Sequence, residues 1–265
     1  MKFIDLETQY NLIREEVKTG IDRVLESGQY IMGTDILDLE TQLSDFANVK
    51  HTITCSSGTD ALLMALMALG VKSGDLVATT PFTYIATAEV ISLIGAIPMF
   101  IDIDPDTFNM NINSLEKQLI KSDQSIKYVM PVNIFGAPLD YNHLYQLKEK
   151  YNFKIIEDAA QSFGAKYHQK VSGNLGDIGC TSFYPAKPLG CYGDGGTGIY
   201  YSADNIWIIG RRQDKSGGEI KGYHFVINIE KSRYVKEKSK IPISVSWEGG
   251  VQKYSGLLDV AMAGG

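Results

Sequence analysis

Short apolar runs alternate with helix-length segments over most of this chain of 265 residues. The runs have the length of strands, and they comprise His51–Cys55, Leu76–Thr80, Ile97–Ile101, Ile126–Val132, Phe153–Glu157, Gly179–Phe183 and Gly198–Tyr201. Most are separated by segments that predict helices, namely Thr59–Leu69, Thr83–Ile94 and Asp140–Tyr151. Because strands that alternate with helices form mostly parallel sheets covered on both faces, the pattern predicts an α/β fold.

Two helices are predicted before the first strand. Apolar residues recur at helical spacing from Ile13 to Leu25, and Gly28 follows where a left-handed cap is easiest to form. The second helix has Thr34 or Asp35 as its possible N-cap. Both segments therefore predict amphipathic helices.

The alternation weakens from about residue 202 onward. Asp214–Glu219 predicts a loop, while Phe225–Ile229 and Ile241–Val245 are possible strands. The chain ends without a second apolar module. We therefore predict one well-specified domain over residues 1–201 and a poorly specified tail over residues 202–265.

Charge and hydropathy exclude several classes of partner. The chain has 25 basic and 31 acidic residues, a net charge of −6, so no general field attracts nucleic acid. The basic stretch Lys231–Lys240 is diluted by Glu237 and predicts a solvated surface rather than a nucleic-acid patch. The longest apolar run, Ala61–Leu69, is too short to cross a bilayer, and the acidic start lacks the apolar core of a signal peptide. We expect no nucleic-acid and no membrane partner.

Cysteine and histidine usage predicts no metal site. Cys55, Cys180 and Cys191 show no Cys-x-x-Cys spacing, which argues against a disulfide framework and against zinc. The four histidines are scattered, and no pair has the spacing of metal ligands. Reduced thiols and the missing signal peptide predict a cytoplasmic protein.

Lys187 carries the strongest chemical signal in the chain. Pro185 and Pro188 flank it, and a glycine-rich stretch follows. The prolines fix the backbone, and the glycines leave room for a flat ring. A lysine held in this way is suited to forming a Schiff base with an aldehyde cofactor and to moving a proton afterwards. A solvated surface lysine is the ordinary alternative.

Two acidic residues, Glu157 and Asp158, lie at the end of the predicted strand Phe153–Glu157, and Asp158 is 29 residues before Lys187. There, the carboxylate of Asp158 could keep the pyridine nitrogen of a cofactor protonated, and the alternative is a helix N-cap. Gln161 is either the capping-box partner of that helix or a ligand to the ring hydroxyl. Together with Lys187, these residues predict a pyridoxal 5'-phosphate site.

A turn between a strand and a helix predicts the place of the phosphate. Ser57, Gly58 and Thr59 would offer backbone N–H groups at the helix N-terminus, although an ordinary N-cap by Ser57 or Thr59 is equally compatible. Ser182 could add a hydroxyl. Tyr84, at the start of the next helix, could stack on the pyridine ring, where a plain core aromatic is the alternative.

Six motifs, in this order, resemble those of the DegT/DnrJ/EryC1/StrS family of sugar-nucleotide aminotransferases over residues 1 to about 201. They are Phe3–Leu6, Gly28–Gly33, Ser57–Leu62, Phe82–Thr87, Glu157–Ser162 and Ser182–Gly190. The resemblance implies the aspartate-aminotransferase-like fold (fold type I) and a homodimer. It also implies a C-terminal small domain, which has no recognisable counterpart here.

The same resemblance implies roles for the candidate residues. It places pyridoxal phosphate on Lys187, Asp158 at the pyridine nitrogen, Gln161 at the ring hydroxyl and Tyr84 in stacking. Ser182 and the turn with Ser57, Gly58 and Thr59 are implied to hold the phosphate. Lysine at position 187 also differs from the histidine of the family's dehydrase branch.

The resemblance further implies the reaction. Gly28–Ile31 and the lysine loop are most similar to members that aminate UDP-linked 3-keto sugars for surface polysaccharides, with glutamate as amino donor. The substrates would then be a sugar nucleotide and an amino acid.

The tail departs from the family pattern. Family members contain an interface segment with the sequence Asn-Ser-Arg. The segments most similar to it here are Tyr223–Phe225 and Ser232–Arg233, but Lys231 occupies the place of the asparagine. A truncated or frameshifted reading frame is the expected explanation. Two functions follow: a working aminotransferase, or a remnant that binds the cofactor or a partner subunit without turnover.

Overall fold

A computed structural model of the chain describes residues 4–122, 125–193, 195–200, 206–216, 219–231, 239–246 and 250–251. The helices are α1 (Leu6–Ser27), α2 (Thr34–Ala47), α3 (Gly58–Ala68), α4 (Ala86–Leu93), α5 (Ile112–Lys121) and α6 (Tyr141–Tyr151). The strands up to residue 200 are β1 (His51–Cys55), β2 (Leu76–Thr79), β3 (Ile97–Phe100), β4 (Ile126–Met130), β5 (Lys154–Asp158), β6 (Lys166–Tyr167), β7 (Lys170–Val171), β8 (Ile178–Ser182) and β9 (Gly196–Tyr200). The later strands are β10 (Ile206–Ser216), β11 (Glu219–Lys231), β12 (Ser239–Ser246) and β13 (Gly250–Val251).

A seven-stranded sheet forms the centre of residues 4–200, in the order β3-β2-β4-β5-β8-β9-β1. The pairs β2–β3, β2–β4, β4–β5 and β5–β8 are parallel. Strand β9 is antiparallel to both of its neighbours. The predicted α/β fold with a mostly parallel sheet is confirmed, and every strand of this sheet except β9 ends at the same edge.

The core lies on both faces of this sheet, as the alternation of side chains in a strand requires. Val77, Met130 and Ile156 pack in one cluster with residues of α3 and α4. Their sequence neighbours, such as Val129 and Ile155, pack in a second cluster with residues of α5 and α6. The sheet is therefore covered by helices on both sides, and neighbouring residues of β5 face opposite layers.

The structure corrects the capping of α2 and adds one helix. Helix α2 begins at Thr34 with Gly33 as its N-cap, so the prediction that Thr34 or Asp35 caps it was wrong. Helix α5 was not predicted, although Asn111 caps it by accepting a hydrogen bond from the Ser114 N–H. The predicted helix α1 is confirmed, since it spans Leu6–Ser27 and is capped by Gly28 with φ of 66°. None of its residues is buried, so its apolar stripe does not face the core.

Strands β10 to β13 form a separate antiparallel sheet. Its strands β11 and β12 contain the predicted strands Phe225–Ile229 and Ile241–Val245. The predicted loop is shorter than expected, because Ser216 of β10 pairs with Glu219 of β11. Its remaining residues, 217 and 218, lie outside the described ranges, as do residues 232–238, which include Ser232 and Arg233.

Within the described ranges, the structure holds no helix that combines the length and the apolar character needed to cross a membrane.

Candidate active site

The candidate residues gather at the edge of the sheet where β1, β5 and β8 end. Asp158 and Ser182 are the last residues of β5 and β8, and Ser57 lies two residues after the end of β1. Lys187 follows β8 in a loop. In open parallel sheets, ligands bind beyond the carboxyl ends of the strands, so this edge is the expected place for a site.

The loop after β8 holds Lys187 in a fixed turn. The Lys187 backbone N–H donates to the Tyr184 carbonyl (2.8 Å), and the Cys191 N–H donates to the Phe183 carbonyl (2.8 Å). A Cβ on Gly190 would lie 2.3 Å from the Pro185 carbonyl oxygen, so this close approach requires glycine. These hydrogen bonds and the close approach at Gly190 hold the loop that carries Lys187 in a defined turn.

The Lys187 side chain reaches the other candidate residues. Its Nζ donates a hydrogen bond to Gln161 Oε1 over 2.9 Å. Burial lowers the pKa of Lys187 from its usual value, and the carboxylate of Asp158 acts against that shift. Partial burial thus increases the share of neutral amine, which is the nucleophilic form.

Asp158 is buried, with 5% of its surface exposed, and both of its carboxylate oxygens are bonded. Oδ2 accepts from the Thr87 hydroxyl (2.8 Å), and Oδ1 accepts from the Ala160 N–H (3.2 Å). Burial raises the pKa of Asp158, while these hydrogen bonds and the charge of Lys187 lower it. The carboxylate is therefore held in place by donors that favour its charged form.

Asp158 and Gln161 do not cap a helix, so the structure does not support the helix-cap alternative for either residue. The residues after Asp158 form a turn rather than a helix. The Asp158 N–H donates to the Pro131 carbonyl (3.0 Å), and the Gln161 amide oxygen is engaged by Lys187 instead. Asp158 caps this turn only through the Ala160 N–H.

The turn from Ser57 to Thr59 starts α3 and packs against the end of β8. Ser57 is the N-cap and accepts from the Asp60 N–H (3.0 Å), so the capping alternative holds for Ser57. A Cβ on Gly58 would lie 2.7 Å from the Ser182 Cβ. At a helix start, the first N–H groups have no intrahelical acceptor, and those of Gly58 and Thr59 belong to this class. The cap and an anion site are therefore compatible.

Tyr84 lies just before α4 and is 72% exposed, which excludes the core alternative. Its carbonyl accepts from the Thr87 N–H (3.2 Å). The exposed ring is open to stack against a ligand. Thr87 itself was missed as a site residue, although it lies within the quoted motif Phe82–Thr87.

Glu157 was also missed, and it is fully buried behind Asp158. Oε1 accepts from Asn133 Nδ2 (3.1 Å) and the Ser172 hydroxyl (2.6 Å), and Oε2 accepts from the Gly173 and Leu175 N–H groups (both 2.9 Å). Burial raises its pKa to about 7 in spite of these donors. An acidic residue directly after the apolar pair Ile155-Ile156 was the available signal, since a carboxylate in a buried strand must find buried donors.

No group of three or more histidine, cysteine, aspartate or glutamate side chains within the described ranges is placed to hold a metal ion.

The sequence and the fold match those of one enzyme family. The chain belongs to the DegT/DnrJ/EryC1/StrS aminotransferase family, whose sequence profile matches residues 11–206. A UDP-2-acetamido-2-deoxy-3-oxo-D-glucuronate aminotransferase from Pseudomonas aeruginosa is 44% identical over 226 residues, which cover 85% of this chain and 62% of that protein. A UDP-N-acetyl-3-dehydro-alpha-D-glucosamine 3-aminotransferase from Acidithiobacillus ferrooxidans is 38% identical, over 76% of this chain and 54% of that protein.

Solved structures agree with this assignment. A DegT DnrJ EryC1 StrS aminotransferase from Brucella abortus superposes with a TM-score of 0.75 at 43% identity, over 77% of this chain and 56% of that one. NtdA from Bacillus subtilis, solved with bound cofactor PMP, superposes with a TM-score of 0.66 at 30% identity, over 71% of this chain and 42% of that one. The chain thus spans 42–62% of these proteins.

Proposed function

We propose that this protein binds pyridoxal phosphate on Lys187 and transfers an amino group from glutamate to a keto sugar nucleotide, with a UDP-linked 3-keto sugar as acceptor. The observation that carries the proposal is the contact of Lys187 with Gln161 beside the buried Asp158, at the edge where the strands end. The substrate class follows the names of the two relatives, both of which act on UDP-linked oxidised sugars.

The residues present fit the cofactor. The site combines an amine, a buried carboxylate and an amide oxygen with a helix start where a Cβ on Gly58 would fill the space beside Ser182. These groups match an aldehyde, a pyridine nitrogen, a ring hydroxyl and a phosphate, respectively. When bound, the cofactor supplies a carbonyl carbon for the amino group and a ring that accepts electrons.

Each side chain then has a defined task. Lys187 would attach the cofactor through Nζ. As a free amine, whose neutral share its lowered pKa increases, the same atom would then take up and pass on a proton. Asp158 holds the ring proton, and Gln161 offers its amide to the ring hydroxyl. Ser57, Gly58, Thr59 and Ser182 bind the phosphate, and Tyr84 offers its exposed ring for stacking.

The test is a single-turnover measurement. The full chain is saturated with pyridoxal phosphate, and glutamate-dependent formation of pyridoxamine phosphate is followed by absorbance. A UDP-linked 3-keto sugar is then added, and return of the original spectrum with an aminated sugar product is expected. Bound cofactor without conversion would instead support the remnant that binds without turnover.

We further propose that residues 1–201 and 202–265 are separate units. In chain order, β9 is the last strand of the seven-stranded sheet, and it ends at Tyr200. The family profile ends at residue 206. The strands described from residue 206 onward pair only with one another. Limited proteolysis with mass spectrometry should yield a stable fragment that ends near residue 201. A first cleavage inside residues 51–200 would contradict the boundary.

The homodimer and the cytoplasmic location remain predictions. Size-exclusion chromatography with light scattering of the full chain tests the first, and cell fractionation tests the second.

A further inference from the structure

Thr87 connects two parts of the candidate site. Its hydroxyl donates to Asp158 Oδ2 over 2.8 Å, and its backbone N–H donates to the Tyr84 carbonyl over 3.2 Å. The Thr83 hydroxyl lies 2.9 Å from the Thr87 hydroxyl. Since the single Thr87 hydroxyl proton is directed to Asp158, Thr83 is the donor in that second bond.

The contact with Asp158 is a buried one between distant parts of the chain. Thr87 is 1% exposed and Asp158 is 5% exposed, and they are 71 residues apart in sequence. The other carboxylate oxygen accepts from Ala160, only two residues away. Thr87 lies on α4, so its hydrogen bond ties the Asp158 carboxylate to the helix layer, whereas the bond from Ala160 is local to the chain around Asp158.

We propose that Thr87 is a positioning residue, which orients the Asp158 carboxylate for the cofactor ring nitrogen. This inference rests on the proposed function, because it assigns Asp158 to the ring. Thr87 acts through Asp158 and is not itself assigned a contact with the cofactor.

The charges around Asp158 support this role. Burial raises the pKa of Asp158, and the Thr87 hydroxyl is the largest opposing influence, followed by Ala160 and Lys187. Besides Lys187, the neighbouring groups whose own pKa values respond to Asp158 are Glu157 on β5, Cys180 on β8 and Tyr141 on α6. Loss of the hydroxyl should therefore raise the proton affinity of Asp158, and the ring nitrogen would lose its proton to the carboxylate.

The experiment compares Thr87→Val, which removes the hydroxyl, with Thr87→Ser, which keeps it. Thr79→Val is the matched control, because Thr79 is also buried and its hydroxyl donates to the Met130 carbonyl instead. The first readout is the pKa of Asp158 in the cofactor-free protein, from the ¹³C shift of its side-chain carboxyl. The second is the ¹⁵N shift of ring-labelled pyridoxal phosphate in the loaded protein.

We expect Thr87→Val to raise the pKa of Asp158 by about one unit, a tenfold higher proton affinity. In the same variant, the ¹⁵N resonance should move toward that of unprotonated pyridine. Thr87→Ser and Thr79→Val should retain the wild-type values. If Thr87→Val does not fold, Thr87→Ala makes the same comparison.

Two failures can be told apart. Wild-type protein that binds no pyridoxal phosphate would overturn the proposed function and this inference with it. Wild-type protein that binds the cofactor with a protonated ring, together with unchanged ¹³C and ¹⁵N values in Thr87→Val, would overturn only the role of Thr87.

Discussion

Ser182 leaves no room for a side chain at residue 58, because a Cβ built on Gly58 would lie 2.7 Å from the Ser182 Cβ and 3.1 Å from its Oγ. A second close approach reinforces the first, since a Cβ on Gly196 would lie 2.6 Å from the Gly58 nitrogen. The start of α3 is thus pressed against β8 and β9. This packing brings backbone N–H groups and the Ser182 hydroxyl to one place.

Gly58→Ala should therefore weaken the binding of pyridoxal phosphate by at least about tenfold, since one hydrogen bond to a charged group contributes about 1.5–3 kcal/mol. The new methyl must displace Ser182 or the helix start, and overpacking of this kind costs about 1–3 kcal/mol of stability. Fluorescence titration gives the dissociation constant, and urea unfolding gives the stability. Gly20→Ala is the control, because a Cβ there has no neighbour within 4 Å. Equal cofactor affinity in wild type and Gly58→Ala would remove this turn from the phosphate site.

Lys187 should be the residue that borohydride labels. Protein incubated with pyridoxal phosphate, reduced and digested is expected to carry the cofactor on the peptide that contains Lys187, as measured by mass spectrometry. Lys187→Ala should lose the label and the visible absorbance while unfolding at a similar urea concentration, because the side chain is only partly buried. Lys166→Ala, an exposed lysine on β6, should behave like the wild type. Label on another lysine would refute the assignment.

Asp158→Asn should retain part of the cofactor binding but slow the half-reaction with glutamate by orders of magnitude, because the amide cannot hold the ring proton by charge. Stopped-flow absorbance of pyridoxamine phosphate formation measures the rate, and cofactor affinity is measured alongside it. Asp177→Asn is a matched control, since Asp177 is a partly buried carboxylate on the approach to β8 that pairs with Lys148. A near-normal single-turnover rate in Asp158→Asn would reduce Asp158 to a structural cap.

The fold and the chemical groups of the site could be predicted from the sequence, because both depend on local patterns. Apolar runs of strand length located all seven strands of the main sheet, and Lys187 and Asp158 stood out by their neighbours. The roles of Thr87 and Glu157 could not be predicted in this way. Thr87 meets Asp158 across 71 residues, and the donors to Glu157 come from residues 133, 172, 173 and 175. Such contacts depend on how the layers pack.

Helix α1 illustrates the same limit. Its apolar residues recur at helical spacing, and the helix forms over Leu6–Ser27, yet none of its residues is buried. Periodicity fixes which residues share a face of the helix, but it does not specify what that face contacts.

Glu157 should make the protein less stable as the pH rises toward neutrality. Burial raises the pKa of Glu157 from 4.5 to about 7 in the folded protein. Between these two pH values the unfolded chain releases the proton while the folded chain keeps it. Ionisation therefore stabilises the unfolded state, and the free energy of unfolding falls. The loss of stability is complete above the folded pKa and is at most about 3 kcal/mol. The raised pKa of Asp158 likewise lowers the stability of the folded protein as the pH rises.

The measurement is the midpoint of urea unfolding at about pH 5 and at about pH 8. These two values span most of the pH range over which the titration of Glu157 lowers the stability. The wild-type midpoint should fall as the pH rises, and the fall should be clearly smaller in Glu157→Gln, which has no proton to release at this position. Glu15→Gln is the control, since the Glu15 side chain is 85% exposed on α1, and it should follow the wild type.

Glu157→Gln also loses acceptors for the Gly173 and Leu175 N–H groups, so its midpoint should be lower overall. The change between the two pH values, rather than either midpoint alone, therefore reports the titration of Glu157. An equal fall in wild type and Glu157→Gln would mean that Glu157 is ionised throughout this range and that its four donors outweigh its burial.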